Sequence, residues 1–445
     1  MSLSDFFEPE GIAVVGASAT PGKLGNDAMS NVEAADTDVY PVNPSGSGTV
    51  YGYEFVDSVA EADADVALLC VPRHLQPDVL EECGEAGIGA AVIFAGGFAE
   101  MGGEGAELQD AVADVAADHD ITVLGPNTAG YALPHQNLYG SFVPRIRDVG
   151  AGNVAIAAQS AGVAITMSFH LTREEYGISA MFGLGNRVNT EFSDLIPELD
   201  ADPKTDSILL HVEGTEESEA LFEACREADT PIAALKVGEN EVSEFVRAHT
   251  AAPAQDNDAY EEAFDRAGVV SVDSTTELVD AGRVLADSPT PDGPNVGLVT
   301  AQAGPGIIVA DHLDGVGANF PELTPETREK LDDVLLGITY EENPVDTGRP
   351  MPEFGEVVDI VARDDNVDIV SVYEIYEDSL GYPVEELETL AAEVDKPVLF
   401  TVAGPAHAFA DERRQMEAAG IPTFDTPERG AQAVAALIES IPDER

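Results

Sequence analysis

The chain reads as an α/β protein of three consecutive doubly wound domains, and three observations predict this. Short apolar runs of strand length alternate with helix-patterned segments, the pattern of parallel sheets joined by crossover helices. The alternation restarts twice after turn-like stretches, at GNVAIAAQS behind VGAGN and at NVGLVTAQAGPG behind SPTPDGP. The 445 residues also accommodate about three domains of roughly 150 residues each. The expected boundaries are 1–147, 148–288 and 289–445.

In the first domain GIAVV is a strand entering a turn, followed by a helix over Asn26–Ala34. VYPVNP, ADVALLCVP, GAAVIFAGG and ITVLGPN are further strands, with helices expected over Pro77–Ala86 and Gly105–Ala117. In the second, NVAIAA leads into a turn of small residues and an apolar helix. There, too, SILLHVEG is a strand ending in Glu213 and Gly214, Asp258–Arg266 a helix, and Val269 and Val270 a strand-like pair. The third has strands at NVGLVT, VDIVSVYEI, KPVLFTVAG and PTFDT, with helices near Val384–Glu393 and Gly430–Glu439.

The formal charge is −63, from 84 Asp and Glu against 21 Lys and Arg. Such a balance repels itself and destabilises a compact state, yet the apolar fraction of 44% is that of a globular protein and excludes disorder. Concentrated salt reconciles the two, since a Debye length of about 3 Å at 1 M screens the repulsion. The expected habitat is a halophile's cytoplasm. The same charge argues against nucleic acid and against an anionic membrane as partner. MSLSDFFEPE has no signal-peptide core, and no apolar run approaches a membrane span. Three cysteines without metal spacing lead us to expect no metal site.

The chemistry-bearing residues cluster at strand ends. In GASATPGKLG, Gly16, Gly22 and Gly25 let the backbone approach a phosphate, and Lys23 offers a point charge beside a helix start. Ser18 occupies the second glycine of a dinucleotide fingerprint, and the second strand ends Val42, Asn43 without the acid that grips a ribose diol. A phosphorylated ribose is therefore tolerated, as in coenzyme A or NADP. Pro72, the Gly96–Gly97 pair and Asn127 stand at further strand ends, where open α/β sheets bind ligands. Gln159, Ser160, Ala161 and Gly162 open a helix whose free N–H groups and dipole suit an anion. His249 lies among Ala248, Thr250, Ala251 and Ala252, small neighbours that leave a nucleophilic imidazole reachable. Glu213, at a strand end, could accept the Nδ1–H of that imidazole.

The run GASATPGKLG, YPVNP, CVP, AGGF and LGPN resembles the coenzyme-A-binding domain of NDP-forming acyl-CoA synthetases. These are the ADP-forming acetate–CoA ligases and the related succinyl-CoA synthetases, and the resemblance extends through the chain. It implies a CoA-binding Rossmann-like domain followed by two flavodoxin-like ligase domains. It also implies coenzyme A held at Gly16, Ser18, Gly22, Lys23, Gly25, Val42, Asn43, Pro72 and Asn127. Phosphate would be held at Gln159, Ser160, Ala161, Gly162, Gly185 and Asn186, although Ala158 and Ala161 replace two residues of the usual S-Q-S-G. His249 would be the transient phosphohistidine and Glu213 its orienting acid. The surrounding motif, usually S-H-T-G, here reads Ala248, His249, Thr250, Ala251. In the third domain Ala303 departs from the usual A-G-G-P-G, and a packing role is expected.

The implied activity interconverts acyl-CoA, ADP and phosphate with a small carboxylic acid, ATP and coenzyme A. No G-x-x-x-x-G-K-[ST] loop is present, and the resembling enzymes bind ADP or ATP and Mg on an ATP-grasp module. A separate ATP-grasp beta subunit, and so a hetero-oligomer, is expected. Two alternatives stand beside this reading. A non-catalytic, regulatory coenzyme-A-binding protein would suit the alanines around His249 and Ser160. An NADP-dependent oxidoreductase is disfavoured by Ser18.

Overall fold

A computed structural model of the chain describes residues 3–215, 217–238, 257–335, 340 and 342–441. The first sheet is built from β1 (Gly11–Val15), β2 (Asp38–Val42), β3 (Val66–Leu69), β4 (Ala90–Ile93) and β5 (Thr122–Leu124), all parallel, in the order β2-β1-β3-β4-β5. Its inner strands are buried along their whole length. With helices on both faces such strands need no polar side, which is why they read as continuous apolar runs.

The second sheet comprises β6 (Tyr131–Ala132), β7 (Ala151–Ala158), β8 (Ile178–Gly183), β9 (Ser207–Val212), β10 (Ile232–Lys236) and β11 (Val270–Ser271), ordered β11-β10-β9-β7-β8-β6. The third comprises β12 (Val296–Thr300), β13 (Val345–Asp346), β14 (Ile369–Ile375), β15 (Val398–Ala403) and β16 (Thr423–Phe424), ordered β13-β12-β14-β15-β16. Apart from β6, each sheet repeats the flavodoxin-like order 2-1-3-4-5. The α/β class and its doubly wound parallel sheets are thus as expected.

Strands β6, β8, β10 and β13, and a short hairpin of Thr49–Val50 with Tyr53–Glu54, lay outside the sequence reading. β6 joins the edge of the second sheet antiparallel to β8, with Met181 opposite Ala132 and Phe182 opposite Tyr131. Two residues are too few to show periodicity. Tertiary packing holds them: the Tyr131 ring stacks on Phe182 at 5.5 Å and meets Phe6 edge-on at 5.2 Å.

The predicted helices are present with ends moved by a few residues. α1 spans Leu24–Val32, and the next two are Gln76–Ala86 and Glu104–His119. α2 (Ala161–Arg173) follows β7 and α3 (Ala303–Leu313) follows β12. Three helices begin with side-chain caps, in which Ser274, Thr324 and Thr426 each accept a backbone N–H from the first turn, worth about 1 kcal/mol each; others, Gln76–Ala86 and Glu104–His119 among them, have none. α1, α2 and α3, which each follow the first strand of a flavodoxin-like repeat, have no side-chain cap. Their leading N–H groups are left for something else.

The fold divides into two compact units, Met1–Ala267 with Ser271–Asp273, and Gly268–Val270 with Ser274–Arg445. The second unit carries a buried ion network. Asp280 receives both Nε and Nη2 of Arg429 at 2.7 Å, and Arg283 reaches Glu417 at 2.7 Å. Arg283 and Asp280 are each 1% exposed, so the pairing offsets a desolvation cost that either charge alone could not bear. Glu374, on β14, is different. It is buried, its Oε2 meets no hydrogen-bond partner among the described residues, and burial pushes its carboxyl up to about 8. No helix among the described residues is long and apolar enough to cross a membrane.

Candidate active site

The turn after β1 sits at the switch point of the first sheet, where the chain has gone one way to β2 and returns to β3. The Gly16 N–H donates to the Val42 carbonyl oxygen at 2.9 Å, and Asn43 Nδ2 donates to Ala17 O at 2.8 Å. Asn43 therefore ties the ends of β1 and β2 together. Gly25 is required by close approach, since a Cβ there would run into the carbonyl oxygen of Gly16. Ser18 Oγ accepts the Thr20 N–H at 3.1 Å, shaping the turn. Gly22 and Lys23 are exposed beside the start of α1, and Pro72 is exposed after β3. These residues lie along one edge of the sheet with the Gly97 turn, whose carbonyl oxygen accepts from Arg73 Nη1 at 2.7 Å.

A second constellation is a cleft of about 480 Å³ within the first unit, a size usual for small-molecule sites. Eight sequence-predicted residues line it: Asn127, Gln159, Ser160, Ala161, Gly162, Gly185, Asn186 and Glu213. They come from positions up to 86 residues apart, brought together because each follows the C-terminal end of a strand. Ser160 precedes α2 in an extended conformation and makes no cap bond. Its carbonyl oxygen already accepts the N–H groups of Val163 and Ala164. The N–H groups of Ala161 and Gly162 thus head the helix at the wall of the cleft. That is an anion-binding arrangement which a backbone supplies whatever the side chains, so the alanine at 161 removes none of these donors.

Gln159 is 4% exposed and does more than line the wall. Its Oε1 accepts the N–H groups of Glu213 and Gly214 at 2.9 and 3.1 Å. The amide oxygen is thereby occupied, and Nε2 is the part that suits an anion. Opposite, Gly185 adopts φ +63°, and a Cβ there would collide with the Pro126 carbonyl oxygen. Asn186 Nδ2 donates to Glu100 Oε2 at 2.7 Å and Gln109 Oε1 at 2.9 Å, and its Oδ1 faces Asn127 Nδ2 at 3.5 Å. Burial would raise the Glu100 carboxyl, but hydrogen bonds from Asn186 and from backbone N–H groups, Gly97 and Phe98 among them, hold it below the usual range. An ionised Glu100 thus fixes the Asn186 amide in one orientation.

Sequence reasoning did not single out Glu100, Gln109 or the apolar wall of Phe94 and Phe142, whose rings meet at 5.2 Å. Glu100 is one acid among 84; the AGGF turn just before it was the available signal. His211, two residues before Glu213, was missed too. Burial pushes its imidazole down to about 4, with the nearby Lys236 acting in the same direction, so it is neutral at pH 7. His249 lies outside the described residues, and its distance to Glu213 is not part of this geometry. Glu213 itself stands half-buried at the end of β9, on the cleft.

Comparison with known proteins agrees with this layout. Residues 10–134 match the CoA binding domain and residues 151–285 the succinyl-CoA ligase like flavodoxin domain. The chain is 31% identical to the acetate–CoA ligase (ADP-forming) II subunit alpha of Pyrococcus furiosus, over 98% of this chain and 97% of that one. It is 30% identical to acetate–CoA ligase (ADP-forming) I of Archaeoglobus fulgidus, over 98% of this chain but 63% of that longer protein. Among solved structures, the dinucleotide-forming acetyl-coenzyme A synthetase 1 of Ca. Korarchaeum cryptofilum, in complex with phosphate and ADP, superposes with a TM-score of 0.90. That match is at 27% identity and covers 99% of this chain and 97% of that one. With nearly a third of its residues shared from end to end, the chain belongs to the family of ADP-forming acetate–CoA ligase alpha subunits.

Proposed function

We propose that the chain is the acyl- and phosphate-handling subunit of an ADP-forming acetyl-CoA synthetase. The observation that carries the reading is the cleft itself. An uncapped helix start, the Gly185–Asn186 turn and Glu213 converge on it, and Asn127 links it to the coenzyme A edge of the first sheet. Gly16, Ser18, Gly22, Lys23, Gly25, Val42, Asn43 and Pro72 would hold coenzyme A. The fit is supported by the open, exposed turn at Gly22–Lys23 and by the approach of Gly25 to Gly16. Phosphate at the start of α2 attacks the acyl carbonyl, and the thiol of coenzyme A leaves with a proton. A neutral His249 imidazole then attacks phosphorus and releases the carboxylate. The phosphoryl group passes from His249 to ADP, regenerating the imidazole. Glu213 orients the ring and supports the positive charge that develops on it.

ADP, ATP and Mg are assigned to a separate ATP-grasp beta subunit, making a hetero-oligomer. Two findings support this: a relative matched over 97% of its length is named a subunit alpha, and the match covers only 63% of the longer A. fulgidus ligase. We assign the three domains to 1–147, 148–288 and 289–445 on the restarts of the strand pattern. The carboxylic acid is small, in keeping with the Phe94–Phe142 wall. The test is incubation with labelled phosphate and acetyl-CoA, followed by mass spectrometry of the modified residue. Acid-labile label on His249, absent from His249→Asn while coenzyme A still binds, is the expected result. Wild-type turnover by His249→Asn ends the phosphohistidine reading.

A further inference from the structure

The residue that follows β9 is gripped through its main chain from two sides. Gln159 Oε1 accepts the N–H of Glu213 and, one residue on, that of Gly214. From the other side Lys236 Nζ donates to the Glu213 carbonyl oxygen at 3.2 Å and to the Val237 carbonyl oxygen at 2.8 Å. Lys236 is the last residue of β10 and stands opposite Val212 in the parallel ladder, so its stem starts beside the turn it holds. Its ammonium lies 5.0 Å from the centre of the Tyr260 ring, whose hydroxyl accepts the Thr215 N–H at 3.3 Å. The first three residues after β9 are thus fastened to side chains from the turn after β7, from β10 and from the helix Asn257–Ala267.

An ammonium is an expensive choice for that task. Lys236 is half-buried, and withdrawing its charge from water costs free energy that a neutral donor would avoid. The chain has only five lysines. One compensation is a charge-assisted bond roughly twice as strong as a neutral one, placed on the carbonyl of Glu213, which lines the cleft. A strand-end residue without such fastening would wander, and a misplacement of about 1 Å can cost on the order of 100-fold in rate.

We propose that Lys236 is a positioning residue for Glu213, holding its backbone so that the side chain keeps its place on the cleft. This rests on the reading of Glu213 as the partner of His249. The test is a double-mutant cycle in the enzyme purified with its partner chain, following ATP formation from acetyl-CoA, ADP and phosphate. Lys236→Met should lower kcat by about 10- to 100-fold and leave the KM for acetyl-CoA within about twofold. Lys236→Arg should recover most of the loss. In a Glu213→Gln background, Lys236→Met should cost less than about a further twofold, because its target is already disabled. Should Lys236→Met fail to fold by circular dichroism, Lys236→Gln carries the same cycle. Losses that multiply in the double variant, or wild-type kcat in Lys236→Met beside a crippled Glu213→Gln, overturn the role of Lys236 alone. Wild-type turnover in Glu213→Gln overturns the reading beneath it.

Discussion

Replacing Glu374 by glutamine should abolish a pH-dependent loss of stability in the second unit. Burial raises the Glu374 carboxyl from 4.5 to about 8, so the folded chain keeps a proton that the unfolded chain has released. A group whose folded pKa is raised favours the folded state most below its unfolded pKa. That advantage is lost as pH rises towards the folded value. The window is therefore about pH 4.5 to 8, with stability falling as pH rises. Each pH unit inside it is worth about 1.4 kcal/mol, so between pH 5.5 and 7.5 wild type should lose about 2–3 kcal/mol through this group. For a unit of this size that is roughly 5–10 °C in melting temperature. Ordinary carboxylates are already ionised there, and the neutral His211 is common to both proteins, so the difference between wild type and Glu374→Gln isolates the term. The amide's own unsatisfied donors lower the variant's stability by the same amount at every pH. The assay is urea unfolding at fixed molar salt across that window, with amide exchange in the strand Ile369–Ile375 reporting the second unit. Parallel pH slopes for the two proteins would refute the burial argument.

Three further outcomes are expected. Gly185→Ala should cost about 1–2 kcal/mol for its left-handed backbone alone. Because its Cβ meets the Pro126 carbonyl oxygen, it should also weaken phosphate binding by displacing Asn127; calorimetry at unchanged phosphate affinity would contradict this. Lys23→Ala should weaken coenzyme A more than dephospho-coenzyme A or ADP, and equal losses for all three would remove Lys23 from the phosphate site. Folding and activity should require molar salt, because the excess of 63 negative charges must be screened; full activity in dilute buffer would contradict the halophile inference.

Much of the scaffold was legible because its signals are local. Runs such as VALL and AAVI are buried on both faces, and the glycine-rich turns mark where each first strand hands over to a helix. The same locality exposed half of the cleft: Gln159–Gly162 and Gly185–Asn186 announce themselves by spacing and small size. What escaped depends on pairings across the chain. Glu100 matters because Asn186, 86 residues on, donates to it. Lys236 matters because the ladder sets it opposite Val212. Gln159 was read as a phosphate ligand, while its oxygen turns out to hold Glu213 and Gly214, a use no motif encodes. In a chain so rich in acids, a carboxylate's type carries almost no information until its neighbours are known.

The antiparallel strand Tyr131–Ala132 restricts how this chain can be cut and recombined. It is covalently part of the segment that builds the first sheet, yet it seals the open side of β8 in the second. A fragment beginning near residue 148 would expose the backbone of β8 together with the face of Phe182 that Tyr131 covers. An unpaired apolar edge of that kind invites self-association. A chimera that exchanged the first sheet for a foreign one would succeed only if residues 129–139 travelled with the recipient, so that the loan of one short strand, rather than the boundary of a sequence family, sets where the molecule can be divided.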